Sequence, residues 1–411
     1  MANKKEKFIA LISSCQIFIF LLVFTFPFSD IYAQSKIPEN MPVKNNNAAS
    51  EFLGVSKPDF NILDLNTMLI PFELAAPAYR ERAEELKDFI AKDYDVVLLQ
   101  EVFSKQMQFD FIKRWYLSND LGNPDNSFGK KTGDYDSVLL SQRPNDIKVS
   151  NESAEFFVTG PKRDGLKTLF GSGLLLLSKY PVINSDVFCY EDRAGSDAFA
   201  SKGVVYAKIK TGTKDDEYVH FFTTHLQSHG YIETRQKNLE ELFDFISKIL
   251  SEELSRVQSV NPVIITGDFN VPANSEDKAV SAEYILLTEK INLLCRSIND
   301  IYKDGPFYLK DLWAQKNRDN IGYTWIASSE EEINGSPYGE TGNTIAIENQ
   351  GAERIDYIFY FDGGKGLRTE NLSIDLVPSK PEKMYSFKNG NLKSYTLSDH
   401  LGLQAGFKLV K

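Results

Sequence analysis

The sequence is poor in cysteine, in histidine and in net positive charge. Only three cysteines occur in 411 residues, and one of them, Cys15, lies inside an apolar N-terminal run. The other two, Cys189 and Cys295, are too few for a disulfide framework, so the fold must rest on a hydrophobic core. They read as buried free thiols, with a single bridge between them as the open alternative. Lysine and arginine number 46 against 57 aspartates and glutamates, a formal net charge of −11. A chain of that sign gains nothing from long-range attraction to nucleic acid or anionic lipid, which disfavours nucleic acid as a partner. No internal repeat and no low-complexity linker is visible. Apolar residues at 42% and charged residues at 25% are ordinary for a globular protein. They exclude a wholly disordered chain, a fibrous repeat and a polytopic membrane protein. The length allows one large domain or two to three small ones.

The one long apolar run, Phe8 to Phe28, follows Lys4, Lys5 and Lys7, and Ile31-Tyr32-Ala33 offers a small residue before a cut. This predicts a signal peptide over residues 1–33 and a secreted mature chain, with a bilayer anchor as the alternative. Cys15 lies too early in the run for a lipidated cysteine. Residues 34–56 are polar, with Pro38, Pro42 and Asn45-Asn46-Asn47, and read as a flexible leader. Residues 57–411 then form the working domain.

In that domain, short runs of Val, Ile, Leu, Phe and Tyr read as buried strands. They cover Asn61–Leu69, Val96–Val102, Gly173–Leu177, Val204–Ile209, Tyr218–Thr224, Val263–Thr266, Ile355–Tyr360 and Leu401–Leu409. Helical periodicity covers Ala78–Lys92 and Thr234–Leu250. Gly122–Gly171 and Ser328–Glu353 show no period and read as long surface excursions. Interleaved strands and helices predict an α/β layered domain.

Chemistry collects at the strand ends. Val96-Val97-Leu98-Leu99-Gln100-Glu101 closes on a carboxylate, and Asn66 ends the first strand. Val263-Ile264-Ile265-Thr266-Gly267-Asp268-Phe269-Asn270 carries Asp268 and Asn270 two apart, which extended backbone would point at one site. His225 ends a third run, Asp356 lies in a fourth, and Ser398-Asp399-His400 precedes the last. Taken singly, each has a bland reading as a cap, a turn residue or a structural histidine. A carboxylate at the edge of a core, however, is costly unless paired or metal-bound. Of only four histidines, two fall at these ends.

The ordered set Asn66, Gln100-Glu101, His225, Gly267-Asp268-Phe269-Asn270, Asp356 and Ser398-Asp399-His400 resembles the endonuclease/exonuclease/phosphatase superfamily, from about Asn61 to Phe407. The resemblance implies a four-layer α/β sandwich, two packed mixed sheets flanked by helices, and phosphoester hydrolysis with a divalent metal, usually Mg2+. It implies that Glu101 binds the metal with support from Asn66, with Asp399 on the metal side or holding its loop. It implies that Asp268 and Asn270 position water and phosphate, that His400 is the general base oriented by Asp356, and that His225 stabilises developing charge or assists the leaving group. Chemically, a hard cation neutralises a phosphodiester, and a histidine near its ordinary pKa can take a proton from water. A second histidine, if protonated, would add positive charge.

Within the superfamily, three stretches resemble secreted neutral sphingomyelinases: Gly171–Pro181, Asp197–Ile209 and Thr224–Gln227. The Asp197 and Lys202 spacing matches a site-arranging pair of that branch; as an isolated surface ion pair it would be worth little. Thr266 before Gly267 and Glu353-Arg354-Ile355-Asp356 depart from the inositol-polyphosphate phosphatase pattern. The reading is a secreted, monomeric, Mg2+-dependent phosphodiesterase acting on the phospholipid sphingomyelin at a membrane surface. A secreted DNase-like endonuclease of the same fold is the alternative enzyme. A catalytically idle lipid- or receptor-binding protein is the third reading, which the intact motif set opposes. Val187–Tyr190 with Phe199, and Trp115-Tyr116, read equally as lipid-contacting loops or as core.

Overall fold

A computed structural model describes residues 59–71, 79–121, 155–165, 167–212, 214, 216–228, 230–275, 279–302, 305–325, 352–364, 367–377, 385–386, 392–393 and 397–410. The signal peptide, the leader and most of both excursions lie outside them. In chain order the elements are β1 (Phe60–Asn66), α1 (Tyr79–Asp93), β2 (Val96–Gln100), α2 (Lys105–Ser118), β3 (Glu155–Thr159), β4 (Leu175–Cys189), β5 (Gly203–Lys210) and β6 (Tyr218–His225). There follow α3 (Ile232–Val257), β7 (Val263–Asp268), α4 (Ala282–Ile301), β8 (Lys310–Asp311), α5 (Leu312–Lys316), β9 (Asp356–Phe361), β10 (Arg368–Val377), β11 (Tyr385–Ser386), β12 (Leu392–Lys393) and β13 (Gly402–Val410). No described helix is long and apolar enough to cross a membrane.

Two strand–helix–strand units organise the sheet. β1 and β2 are parallel across α1, and β6 and β7 are parallel across α3. The other pairings are antiparallel. The expectation of two packed sheets in a four-layer sandwich is overturned by the hydrogen bonding. One continuous sheet runs β10-β13-β1-β2-β4-β5-β6-β7-β9-β8, with β3 added on β4; only β11 and β12 stand apart as a two-stranded pair. The strand that makes it continuous is β4. Its first part, Leu175–Ser178, pairs with β2, and its later part, Val182–Cys189, pairs with β5. The sheet curls until β1 and β2 face β6 and β7. The α/β class stands.

Three apolar clusters follow from the curl. Its inner face packs Ile62, Leu98, Leu176, Val205, Phe221, Ile264 and Ile358. One outer face meets α1 and α2 through Leu86, Ile90, Phe111 and Trp115. The other meets α3 and α4 through Leu242, Ile246, Leu287 and Ile298. With both faces covered, the central strands are buried on both sides, as in β2, where Val96–Leu99 and the closing Gln100 are all buried. Trp115, Tyr116 and Tyr190 belong to this core, which removes them as lipid-contacting candidates. Within the excursion read over Gly122–Gly171, residues 155–159 form the strand β3. Cys295 is buried and Cys189 half-buried, and both are free thiols.

Candidate active site

The carboxyl ends of the parallel strands meet at one edge of the curled sheet, the place where open α/β folds bind ligands. Asn66 ends β1, Glu101 follows β2, His225 ends β6 and Asp268 ends β7. The register places His225 beside Asp268 and Asp268 beside Asp356. Because β13 runs antiparallel to β1, the turn before it brings His400 to the same end. All five residues other than Glu101 are nearly fully buried: Asn66, His225, Asp268, Asp356 and His400.

The backbone leaves these strands abruptly. Met68, Glu101 and Asn270 are left-handed, with φ of 50°, 63° and 51°. Such conformations are costly in non-glycine residues and cluster at functional sites. Asp268 and Asn270 therefore do not share a face by strand alternation, as expected from their spacing. The strand ends at Asp268, and the chain turns back so that the Asn270 amide donates to Asp268 Oδ1 at 2.9 Å. The Asn270 side chain donates to the Leu226 carbonyl at 3.1 Å. Gly267, at φ 132°, is required here: a Cβ would come within 2.1 Å of the Thr224 carbonyl oxygen.

Two groups of polar residues result. In the first, Asn66 Nδ2 donates to Glu101 Oε1 at 3.2 Å and to Asp268 Oδ2 at 2.9 Å. Burial and the Asp399 charge push the Glu101 carboxyl up to about 7. Asp399 accepts from Trp325 Nε1 at 3.2 Å. In the second, His400 Nδ1 meets Asp356 Oδ2 at 2.8 Å, with His400 Nε2 3.9 Å from Asp268 Oδ2. Burial opposes a charged ring, but the Asp356, Asp399 and Asp268 carboxylates together hold the His400 imidazolium well above the ordinary histidine range. Thr324 Oγ1 accepts from the Ile355 and Asp356 amides at 3.1 Å and fixes the start of β9.

Lys202 ties the groups to a third loop. Its ammonium donates to His225 Nε2 and the Leu226 carbonyl, each at 2.8 Å, and pairs with Asp197 Oδ2 at 2.7 Å. Burial works against the Asp197 charge, but Lys202 and the Ser228 amide hold its carboxyl below the usual range. Asp197 and Lys202 thus form a pair of which Lys202 is buried and Asp197 partly exposed, rather than a surface pair. His225 is pushed down to about 3, by burial first and then by the Lys202 charge. The positive charge expected of a protonated His225 therefore resides on Lys202. With Nε2 accepting, the neutral ring carries its proton on Nδ1, which has no partner among the described residues.

The structure thus brings together all ten residues singled out in the sequence. It adds others. Gln227 Nε2 donates to Asp197 Oδ2 at 3.1 Å, and Arg235 Nη1 holds the Gln227 carbonyl at 2.9 Å while pairing with Glu283. Gln100 Nε2 reaches Asp64 Oδ1 at 2.9 Å beneath the site. Trp325 and Thr324 carried no sequence signal beyond their apolar or neutral type. Arg82 and Arg235 did: each lies four residues before a buried leucine on its helix, so a charge occupies the apolar face.

A profile of the endonuclease/exonuclease/phosphatase family matches residues 61–400. The chain belongs to that family. Among curated relatives, a protein named a sphingomyelinase from Dictyostelium discoideum is 27% identical over 242 residues, 56% of this chain and 44% of that protein. A Bacillus cereus sphingomyelinase C is 26% identical over 222 residues, 52% of this chain and 56% of its own length. The chain thus spans about half the length of these relatives. Among solved structures, a Staphylococcus aureus beta toxin mutant with bound magnesium ions aligns with a TM-score of 0.52 at 18% identity, covering 85% of this chain and 99% of that one. At that identity the likeness speaks for the fold.

The donor set suits a divalent cation. Glu101 and Asp399 offer carboxylate oxygens, the ligands hard cations take, while Asn66 supports Glu101 through Nδ2, its Oδ1 accepting from the Met68 amide at 3.0 Å. The Glu101 carboxyl is raised first by burial and then by the Asp399 charge beside it. Asp268, Asp356 and His400 also bring one ligand-type atom each within 4.8 Å of one another, and Asp356 Oδ1 is buried with no hydrogen-bond partner among the described residues.

Proposed function

We propose that the protein is a secreted, Mg2+-dependent phosphodiesterase that hydrolyses sphingomyelin to ceramide and phosphocholine. The observation that carries the chemistry is the buried Asp356–His400 pair at 2.8 Å, with Nε2 left to face Asp268 beside the Glu101–Asn66 pair. Glu101 and Asp399, with Asn66 steadying the Glu101 carboxylate, would hold a magnesium ion, which would supply neutralising charge to a bound phosphodiester. The cation is assigned to that side because His400 Nδ1 and Asp356 Oδ2 are already engaged with each other.

The chain's own residues do the rest. Asp356 accepts from His400 Nδ1–H, so Nε2 presents a lone pair to the attacking water and takes its proton. The imidazolium so formed is stabilised by Asp356. Asp268, fixed through Oδ1 by the Asn270 amide and through Oδ2 by Asn66, orients that water and the phosphate beside it. Lys202 sets positive charge 2.8 Å from the His225 ring.

Sphingomyelin as substrate is supported by relatives bearing the name sphingomyelinase and by the Asp197–Lys202 pair. An acidic protein is better suited to a zwitterionic bilayer than to a polyanion. Secretion rests on the apolar run within residues 1–33. Offering sphingomyelin, phosphatidylcholine and duplex DNA in parallel tests the reading. Ceramide from the first alone supports it; nicked DNA with intact sphingomyelin replaces it with the nuclease.

A further inference from the structure

Arg82 has no place in the chemistry above, yet its side chain is almost fully buried beside it, at 2% exposure. It projects from α1 into the gap between two loops. Nη1 donates to the Leu397 carbonyl at 2.7 Å and the Thr67 carbonyl at 3.2 Å, and Nη2 to the Met68 carbonyl at 2.6 Å. Thr67 and Met68 follow Asn66; Leu397 precedes Ser398-Asp399-His400. The two loops also touch through Ser398, whose hydroxyl donates to the Asn66 carbonyl and accepts from the His400 amide at 3.1 Å.

We propose that Arg82 is a positioning residue that clamps the Asn66 loop to the His400 loop, setting the base against the Glu101–Asn66 side of the site. The geometry needs a guanidinium. A planar fork reaches carbonyls of two loops at once with pre-set directions, whereas an ammonium is a single point on a flexible stem. Charge-assisted bonds to carbonyls in a dry interior are stronger than neutral ones, so the loops lose a rigid joint when the fork is lost. Met68 is left-handed at φ 50°, a conformation that holds only while its surroundings impose it. The inference rests on the proposed hydrolysis for its kinetic readout and on geometry alone for its structural one.

The test is Arg82→Lys, with Arg82→Met as a second variant and Ser398→Ala for a double-mutant cycle. Amide exchange by mass spectrometry reads the clamp without any substrate. Peptides covering 62–70 and 396–402 should both exchange at least about 10-fold faster in Arg82→Lys, while the β4 peptide covering 175–178 is unchanged. Kinetically, kcat should fall about 10- to 100-fold with KM within about threefold, the signature of misplaced reacting groups. Arg82→Met should be worse than Arg82→Lys, and adding Ser398→Ala should cost less than its effect in the wild type. Equal acceleration of exchange across all peptides would make Arg82 a general fold support and overturn the proposal. So would exchange confined to one loop, or full kcat in Arg82→Met. A wild type inactive on every phosphodiester would overturn the proposed function instead, leaving the exchange result to decide the clamp.

Discussion

Replacing Asp356 by Asn should disable the base while leaving the site's shape in place. The two side chains have the same size, and Asp356 is buried in contact with His400 Nδ1 at 2.8 Å. In the wild type the carboxylate can only accept, so the neutral ring must carry its proton on Nδ1 and leave Nε2 as the base. An amide can turn its NH2 to Nδ1, moving the ring proton to Nε2 and removing the base. The rate loss should approach that of His400→Ala, about 100- to 10,000-fold, or roughly 3–5 kcal/mol at 1.36 kcal/mol per decade. Because the pair acts as one unit, the double mutant should be little slower than His400→Ala alone. The pH dependence has a definite sign. Burial lowers the His400 pKa, but the Asp356, Asp399 and Asp268 carboxylates outweigh it and raise it. A base must be deprotonated, so the raised pKa sets the acidic limb of the profile. Deleting the Asp356 charge lowers that pKa and moves the limb to lower pH, with Asp399 and Asp268 still holding part of the shift. Rates against pH at saturating Mg2+ decide the matter. An unmoved limb, with the rate restored by more Mg2+, would show Asp356 to be a metal ligand and refute the dyad.

Other outcomes follow from neighbouring groups. Glu101→Gln should fold normally but bind Mg2+ much more weakly by calorimetry. With the wild-type carboxyl near 7, cation binding at pH 7 should release about half a proton, and this release should vanish in the variant. A carboxyl raised on folding contributes stability that is fully present below its unfolded value, near 4.5, and is lost as pH rises through about 7. In chelator at pH 8, Glu101→Gln should therefore be the more stable protein by thermal unfolding. Lys202→Met should leave the largely buried Asp197 carboxylate with only the Ser228 and Gln227 donors and no counter-charge, and cost up to about 3 kcal/mol in denaturant unfolding; a surface pair would cost under about 1 kcal/mol. Mass measurement of protein recovered from medium should give a chain starting near Gln34, whereas retention of residues 1–33 in membranes would favour the anchor.

Sequence pattern marked the residues that converge at the strand ends better than it marked the sheet. Glu101, His225 and Asp268 were legible because each closes an apolar run at the carboxyl end of a strand, and such ends converge in any parallel unit. The single curled sheet was not. Its continuity depends on β4, whose apolar signal stops at Leu177. The rest of the strand, from Lys179 to Cys189, is half-buried or exposed apart from Val182 and carries no period. α2 and α4 were missed because their buried positions, such as Phe111 and Trp115 or Leu287 and Ile291, are interrupted by exposed apolar residues such as Leu117, Ile285 and Leu293. The protonation of His225 was also beyond the sequence. It depends on burial of the ring first, and then on Lys202, 23 residues away, reaching it. The buried arginines are a subtler loss. A cation on an amphipathic helix reads as solvated face unless its phase against the leucines is checked.

Hydrolysis of sphingomyelin at a cation-dependent site built on the Asp356–His400 pair releases phosphocholine, which can be followed directly. The most direct measurement is phosphorus NMR on sphingomyelin vesicles incubated with purified protein, with and without chelator, alongside His400→Ala. The expected result is a growing phosphocholine signal that chelator abolishes, that Mg2+ restores, and that His400→Ala reduces at least about 100-fold. Phosphocholine released at full rate in chelator, or by His400→Ala, would contradict the mechanism. An unchanged sphingomyelin signal under all conditions would contradict the function.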